Sequence, residues 1–181
     1  ISFDADDRYC LDNNRLVVVN DGMYGGNNTE YRTEVDAFTK IVSFATKPGN
    51  PVCFHIWSRD GQHLQYGCTD NSRILAQGKQ VTNFWVLNRR EDQAGNYVTY
   101  LYGQVPGEYW IDRILYGGNA RLSQEPYNAV QFAYNMDRLD VIPLFTAVSL
   151  MQTTRLLANV SVFSGAGGNQ ELVTLTTLSY E

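Results

Sequence analysis

The histidines and cysteines are the residues best suited to chemistry in this sequence. The chain contains two histidines, His55 and His63, and three cysteines, Cys10, Cys53 and Cys68. A structural zinc site usually takes four Cys or His ligands, often with a C-x-x-C pair among them. Because no C-x-x-C pair is present and only two histidines could complete a ligand set, the sequence predicts no metal site and no cofactor.

Cys53 and Cys68 flank a predicted β-hairpin. Asp60-Gly61 is a strong hairpin signal, and a two-residue loop there pairs residues whose numbers sum to 121, so that Cys53 faces Cys68. This register makes them a hydrogen-bonded pair, whereas disulfides fit the closer, non-hydrogen-bonded pairs better. A bulge after Gly61 would also shift the register. A Cys53–Cys68 disulfide and two buried free thiols both remain open, and Cys10 is left over.

The same register places His55 and His63 on opposite faces of the sheet, which disfavours a two-histidine metal site. Either histidine alone could still serve as a general base. No G-x-S-x-G elbow presents a nucleophilic serine, and the acidic cluster at residues 4–7 lacks the spacing of a calcium loop. None of the glycine-rich turns leads from a strand into a convincing helix, as phosphate binding requires. The sequence therefore predicts a protein that is not an enzyme and has no catalytic residue.

Aromatic side chains offer a different kind of site. Tyr97, Tyr109 and Trp110 could form an exposed surface on which sugar rings stack, with neighbouring Asn and Asp side chains binding hydroxyls. Aromatic residues in strands more commonly pack in a core or pair across strands. A carbohydrate- or cell-surface-binding β module is thus the alternative to a purely structural role.

The elements that would position these residues are strands. The chain has 181 residues, which is one domain's worth, with 13% aromatic residues and 15 glycines. A net charge of -5 argues against nucleic acid as a partner. No stretch approaches the roughly 20 apolar residues that span a bilayer.

About ten strand-like runs alternate with turn signals, which predicts an all-β fold. We expect an antiparallel meander of hairpins arranged as a layered sheet, a sandwich or an open shell. At most one short helix is expected, near residues 144–152, where an uncapped apolar run leaves helix and irregular structure both open. The predicted strands cover residues 15–20, 30–35, 40–45, 53–58, 62–67, 84–88, 97–102, 109–116, 129–134, 155–163 and 172–180.

Residues 92–102 (DQAGNYVTYLY) resemble the D-x-x-G-N-x-x-x-Y-x-Y unit of Rhs/YD-repeat polypeptides. Residues 84–88 (FWVLN) and 110–120 (WIDRILYGGNA) extend the resemblance on both sides. The upstream half is similar to the region that precedes the repeats in toxin-complex B components and virulence-plasmid B proteins. The positions that match the motif are Asp92, Gly95, Asn96, Tyr100 and Tyr102.

This resemblance implies a structural role. Such proteins wind β-hairpin strips into a shell that encloses a C-terminal toxic or effector segment until delivery. No catalytic residue transfers, because neither the E-x-E of the payload nor the D-P-x-x-G-R core motif is present. We expect residues 1–181 to be a single β-rich domain, a fragment of a larger secreted or cell-surface bacterial virulence protein.

The same resemblance indicates the partners. They would be neighbouring segments of the same polypeptide, met through sheet edges. A toxin-complex partner or a cell-surface glycan is a further candidate.

Overall fold

The computed structural model describes residues 6–47, 49–136, 138–146, 149–165 and 170–180. Within these ranges the chain forms sixteen β-strands, one single-turn 3-10 helix at Asp70–Ser72 and no α-helix. The prediction of an all-β, antiparallel fold is confirmed. The number of strands was underestimated, in part because Cys10–Leu11, Arg73–Leu75 and Thr82–Trp85 are too short to show an alternating pattern.

The strands differ widely in length, from two to twelve residues. In chain order they are β1 Cys10–Leu11, β2 Asn14–Val18, β3 Thr29–Thr33, β4 Lys40–Lys47, β5 Asn50–Trp57, β6 His63–Tyr66, β7 Arg73–Leu75, β8 Thr82–Trp85, β9 Leu87–Glu91, β10 Asn96–Val105, β11 Glu108–Asn119, β12 Asn128–Asn135, β13 Ile142–Thr146, β14 Ser149–Thr153, β15 Leu156–Ser164 and β16 Glu171–Thr177.

Twelve strands form one sheet in the order β1-β2-β3-β4-β5-β6-β9-β10-β11-β12-β15-β16. Neighbouring strands of this sheet are antiparallel, and the spatial order follows the chain order. The two remaining pairs, β7–β8 and β13–β14, are separate hairpins inserted between consecutive strands of the sheet. The architecture is therefore a meander, as the regular turn signals indicate.

Neither the short helix nor the irregular structure left open near residues 144–152 is found among the described residues of this segment, which form strands. This segment contributes to the hairpin of β13 and β14, in which Leu144 pairs with Met151 and Thr146 with Ser149. In β14, Ser149 and Met151 are buried whereas Gln152 is exposed. The backbone N–H of Gln152 donates to the carbonyl of Gly107, 2.7 Å away. Docking of this strand on the β10–β11 turn overrides the weak helical tendency of a short uncapped run.

The main core lies on one face of the N-terminal half of the sheet. Tyr31 is completely buried at its centre, and its hydroxyl accepts a hydrogen bond from the Gly25 N–H at 2.8 Å, so the buried polar group is satisfied. Trp85 of β8 covers this face, 5.3 Å from Phe54 between ring centroids, and its indole N–H donates to the Pro51 carbonyl at 3.0 Å. The core residues are Leu16, Tyr31, Ile41, Phe54 and Ile56.

The C-terminal end of the sheet is different, because β16 is exposed along its whole length. Leu172, Val173 and Leu175 are 55%, 62% and 55% exposed. Strand β16 pairs only with β15 and is an edge of the main sheet in the part of the chain that the structure describes. Among the described residues, no helix has the length and apolar character that crossing a membrane requires.

Candidate functional site

Strands β5 and β6 bring the histidines and two of the cysteines together on the sheet face opposite the main core. Residues 58–62 connect these strands, and the Ser58 N–H donates to the Gln62 carbonyl at 3.0 Å, which closes a three-residue turn of Arg59, Asp60 and Gly61. Gly61 adopts a φ of +79°. Because of this extra residue, Trp57 pairs with His63 and the paired numbers sum to 120, not 121. The register predicted from a two-residue loop is therefore wrong by one residue, the shift that a bulge at Gly61 produces.

Cys53 and Cys68 are nevertheless joined in a disulfide, with their Cα atoms 4.6 Å apart. In the observed register Phe54 pairs with Tyr66, which brings Gly67 next to Cys53. Gly67 has a φ of +72° and donates its N–H to the carbonyl of Val86. This turn of the backbone carries Cys68 back beside Cys53. Cys10 is a free, exposed thiol.

The one-residue shift also changes the position of the histidines. His55 and His63 lie on the same face, with Nδ1 of His55 3.0 Å from Nε2 of His63, so the prediction of opposite faces is wrong. The ring of His63 stacks on Trp57 at 4.9 Å, and that of His55 lies 4.6 Å from Phe44. We call Cys53, His55, His63 and Cys68 the histidine–cysteine cluster.

The environment of the cluster favours neutral imidazoles. Burial lowers the pKa of His55 below its ordinary value, and the neighbouring His63 lowers it further. Burial also lowers the pKa of His63, with the cation of Arg89 acting in the same direction and the carboxylate of Glu91 opposing it. With both rings neutral, one imidazole N–H can donate to the unprotonated nitrogen of the other.

The histidine pair should make stability depend on pH. Because the pKa of each ring is lower in the folded chain than the unfolded value of about 6.5, the unfolded chain binds protons first as the pH falls. The free energy of unfolding should therefore decrease between about pH 7 and pH 5.5. Urea unfolding of the wild type and of a His55→Asn/His63→Asn variant measures this. The variant should lack the decrease, and equal slopes in the two proteins would contradict the assignment.

The YD-type motif forms the turn between β9 and β10. The carboxylate of Asp92 accepts hydrogen bonds from the N–H groups of Ala94 and Asn96, at 2.8 and 2.9 Å, and from the Asn96 side chain at 2.8 Å. These hydrogen bonds lower the pKa of Asp92, and the one from the Asn96 side chain has the largest effect. Gly95 has a φ of +87°, and a Cβ there would lie 2.8 Å from the side chain of Arg121. Asp92, Gly95 and Asn96 thus have structural roles in the turn.

The motif also connects β10 to its neighbouring strands β9 and β11. The side chain of Asn119, at the end of β11, donates to the side-chain oxygen of Asn96 at 2.8 Å. The hydroxyl of Tyr102 donates to the carbonyl of Leu87 at 2.8 Å, and burial raises the pKa of Tyr102 to about 12. Tyr100 pairs with Ile114 of β11. Every residue of the motif is engaged within the sheet.

The three aromatic residues considered for sugar stacking do not share an exposed platform. Tyr97 is buried, with the Arg89 guanidinium 3.6 Å from its ring centroid. Arg155 lies 3.6 Å from the ring centroid of Trp110, and a Cβ on Gly103 would come within 2.3 Å of the same indole. Tyr109 is exposed, but it adjoins Trp110 in β11 and points to the other face. These positions give the carbohydrate-binding interpretation no support.

An ion pair with a buried carboxylate joins the start of β11 to the segment that connects β14 to β15. The carboxylate of Glu108, which is 6% exposed, accepts hydrogen bonds from the N–H and hydroxyl of Thr154, both at 2.7 Å. It also accepts from the Arg155 N–H at 3.2 Å and from the guanidinium of Arg155 at 3.1 Å. Nothing in the local sequence identifies this contact, because the partners are 46 and 47 residues apart.

A pocket of about 800 Å³ opens at the N-terminal end of the core face. Its wall is mainly aromatic and apolar and includes Tyr9, Tyr24, Phe54, Phe84 and Trp85. Burial and the neighbouring phenols Tyr31 and Tyr24 raise the pKa of Tyr9 far above its ordinary value. The pocket offers mainly apolar surface for packing, and none of the residues of the histidine–cysteine cluster line it.

Comparison with known families gives a match over most of the chain. The model of the SpvB family, described as Salmonella virulence plasmid 65kDa B protein, matches residues 12–116. No curated protein sequence matches at a significant level.

The fold is similar to that of three solved structures. Over 99% of its length the chain superimposes on the crystal structure of TcdB2-TccC3-Cdc42 with a TM-score of 0.76 and 17% identity. A structure of TcdB2-TccC3 gives a TM-score of 0.72 at 18% identity over 93% of the chain. The N-terminal domain of the effector protein SpvB from Salmonella typhimurium strain LT2 gives 0.74 at 15% identity, covering all of this chain and 83% of that one.

These TM-scores establish a shared fold. The chain spans 12% of the chain in the TcdB2-TccC3-Cdc42 structure and 11% of that in the TcdB2-TccC3 structure.

Proposed function

Because the chain belongs to the family of Salmonella virulence plasmid 65kDa B proteins, we propose that it is a non-enzymatic, shell-forming segment of a secreted toxin-type bacterial protein. In this role the open sheet is part of a wall that encloses or delivers a C-terminal effector segment of the same polypeptide. The domain of residues 1–181 is then a fragment of a larger Rhs-type chain. The likeness to a short part of the TcdB2-TccC3 chain supports this placement.

The observation that carries the proposal is the exposed edge strand β16. Leu172, Val173 and Leu175 give this strand apolar side chains that contact water, although an exposed apolar edge promotes association. The β13–β14 hairpin adds Leu144 and Phe145, which are 60% and 77% exposed. We infer that a neighbouring segment of the parent polypeptide pairs with β16 and covers these side chains.

The polar contacts of the sheet support a structural role over catalysis. Arg89 binds Glu91 at 2.8 Å and covers Tyr97, while Glu108 binds Arg155 beside Trp110. Each of these charged groups is held by a partner on the sheet itself. Such contacts stabilise the sheet, and these charged groups are already paired within it.

The proposal predicts that the isolated chain self-associates through β16. Sedimentation velocity over a range of concentrations should show association of the wild type, and a Leu172→Lys/Leu175→Lys variant should remain monomeric because charge at a sheet edge opposes pairing. Leu122→Lys is the matched control, since Leu122 is 73% exposed in the turn between β11 and β12 and is not part of β16. A wild type that stays monomeric at high concentration would count against the exposed edge as an assembly surface.

A further inference from the structure

The histidine–cysteine cluster has the composition of a metal site. One ligand atom each from Cys53, His55 and Cys68 lies within 4.8 Å of the others. In tetrahedral zinc centres with Zn–S of about 2.3 Å and Zn–N of about 2.0 Å, ligand atoms are separated by about 3.3–3.8 Å. The imidazole must approach by about 1 Å and the sulfurs must separate to about 3.8 Å to reach this geometry, which requires breaking the disulfide.

We propose that reduction of the Cys53–Cys68 disulfide converts this cluster into a Zn²⁺ site, in which two thiolates and His55 bind the ion and a water molecule completes the coordination. A dithiol reductant supplies two electrons and two protons, so the S–S bond breaks, two cysteine thiols form and the reductant becomes a disulfide. Zinc binding then releases both thiol protons to solvent.

The backbone already holds the three ligands in position. Cys53 and His55 are two residues apart in β5 and therefore share a sheet face. Cys68 follows the end of β6, and the positive φ of Gly67 turns it toward Cys53. Cys53 is buried at 8% exposure, which limits competition from water for that thiolate. The site thus needs side-chain movement without rearrangement of the strands.

His63 has the position of a residue that orients a ligand. Its Nε2 lies 3.0 Å from Nδ1 of His55, so Nε2 of His55 is the nitrogen left for the ion. Histidine ligands commonly donate the other ring N–H to such a partner, which fixes the tautomer and the ring orientation. His63 is therefore a positioning residue and not a fourth ligand.

The consequence is a cross-link that survives a change of compartment. Disulfides persist in oxidising compartments and are reduced in the cytosol. A zinc ion bound to the reduced cysteines would hold the end of β5 to the end of β6 in place of the S–S bond. The disulfide would join the two strands in an oxidising compartment, and the zinc ion would join them in the cytosol.

Zinc binding to the reduced and oxidised chain tests the proposal. The parent is a Cys10→Ala variant, which removes the third thiol. After reduction with a phosphine, competition against a chromophoric chelator should give one Zn²⁺ per chain, and Co²⁺ should give the visible absorption of a tetrahedral thiolate site. The oxidised chain should bind neither ion. Cys53→Ser/Cys68→Ser should abolish binding, and His63→Asn should weaken it about 10- to 100-fold.

His55→Asn removes the ligating nitrogen and should weaken binding more than His63→Asn does. Equal loss in the two variants would overturn the assignment of His55 as ligand and His63 as positioning residue. Absence of stoichiometric binding by the reduced chain would overturn the site itself. If the reduced chain unfolds, circular dichroism measures whether Zn²⁺ refolds it. Refolding on addition of Zn²⁺ supports the proposal, and a chain that stays unfolded with Zn²⁺ contradicts it.

Discussion

A Glu108→Ala variant is expected to lose about 3–5 kcal/mol of folding free energy, because it leaves the largely buried guanidinium of Arg155 without its counter-ion. The carboxylate of Glu108 accepts four hydrogen bonds from Thr154 and Arg155, and the side chains of Glu108 and Arg155 are only 7% and 14% exposed. For a chain of this length the loss corresponds to a decrease in Tm of roughly 6–20 °C. Thermal and urea unfolding measure it.

Two further variants identify the cause of this loss. Glu108→Gln keeps the shape and one carbonyl acceptor while removing the charge, so its loss should be intermediate. Glu34→Ala removes an exposed carboxylate and should change stability by less than about 0.5 kcal/mol. Equal stability of Glu108→Ala and Glu34→Ala would show that the ion pair does not stabilise the contact between β11 and the segment that connects β14 to β15.

Removal of the Cys53–Cys68 disulfide should cost about 3 kcal/mol, the value expected for closing a 15-residue loop in the unfolded chain. Unfolding of a Cys53→Ala/Cys68→Ala variant, measured with a chelator present so that no metal compensates, gives the loss directly. Cys10→Ala is the matched control, because Cys10 is exposed and unbonded to sulfur. A reductant should destabilise the wild type by a similar amount and leave the double variant unchanged.

Peptide mapping of the unreduced protein provides an independent measurement. A linked pair of peptides containing Cys53 and Cys68 is the expected product, together with an alkylated Cys10. Recovery of alkylated Cys53 and Cys68 from the unreduced protein would falsify the disulfide.

The fold class could be predicted from the sequence because its signals are local. Alternating apolar residues mark most of the long strands, and Asp, Asn and Gly mark the turns between them. The Asp92–Asn96 turn is the best example, since each motif residue is explained by a hydrogen bond or a positive φ within a few positions. The linear strand order follows from the same hairpins.

The candidate site could not be predicted to the same degree because it depends on one residue of register. A single extra loop residue before Gln62 moves His63 from one sheet face to the other, since side chains alternate with a period of two. The choice between a two-residue loop and a bulged three-residue loop at Asp60-Gly61 is not decided by the dipeptide itself. The predicted pairing of the cysteines and the separation of the histidines both depended on that choice.

Contacts between distant segments were inaccessible for a different reason. Glu108 and Arg155 carry no local pattern, and their pairing follows from the docking of β14 on the β10–β11 turn. The apolar run that contains Leu144 and Met151 fits a helix or a strand equally well until its tertiary contacts are known.

The linear order of the main sheet determines how the domain can be assembled and taken apart. Each strand pairs with the next strand in the chain, or with the next after a small inserted hairpin, so every pairing closes a short loop at low entropic cost. The sheet can therefore grow strand by strand as the chain emerges from a ribosome. A force that pulls on one end of the chain acts on a single strand pair at a time, and the strands separate from the sheet one after another.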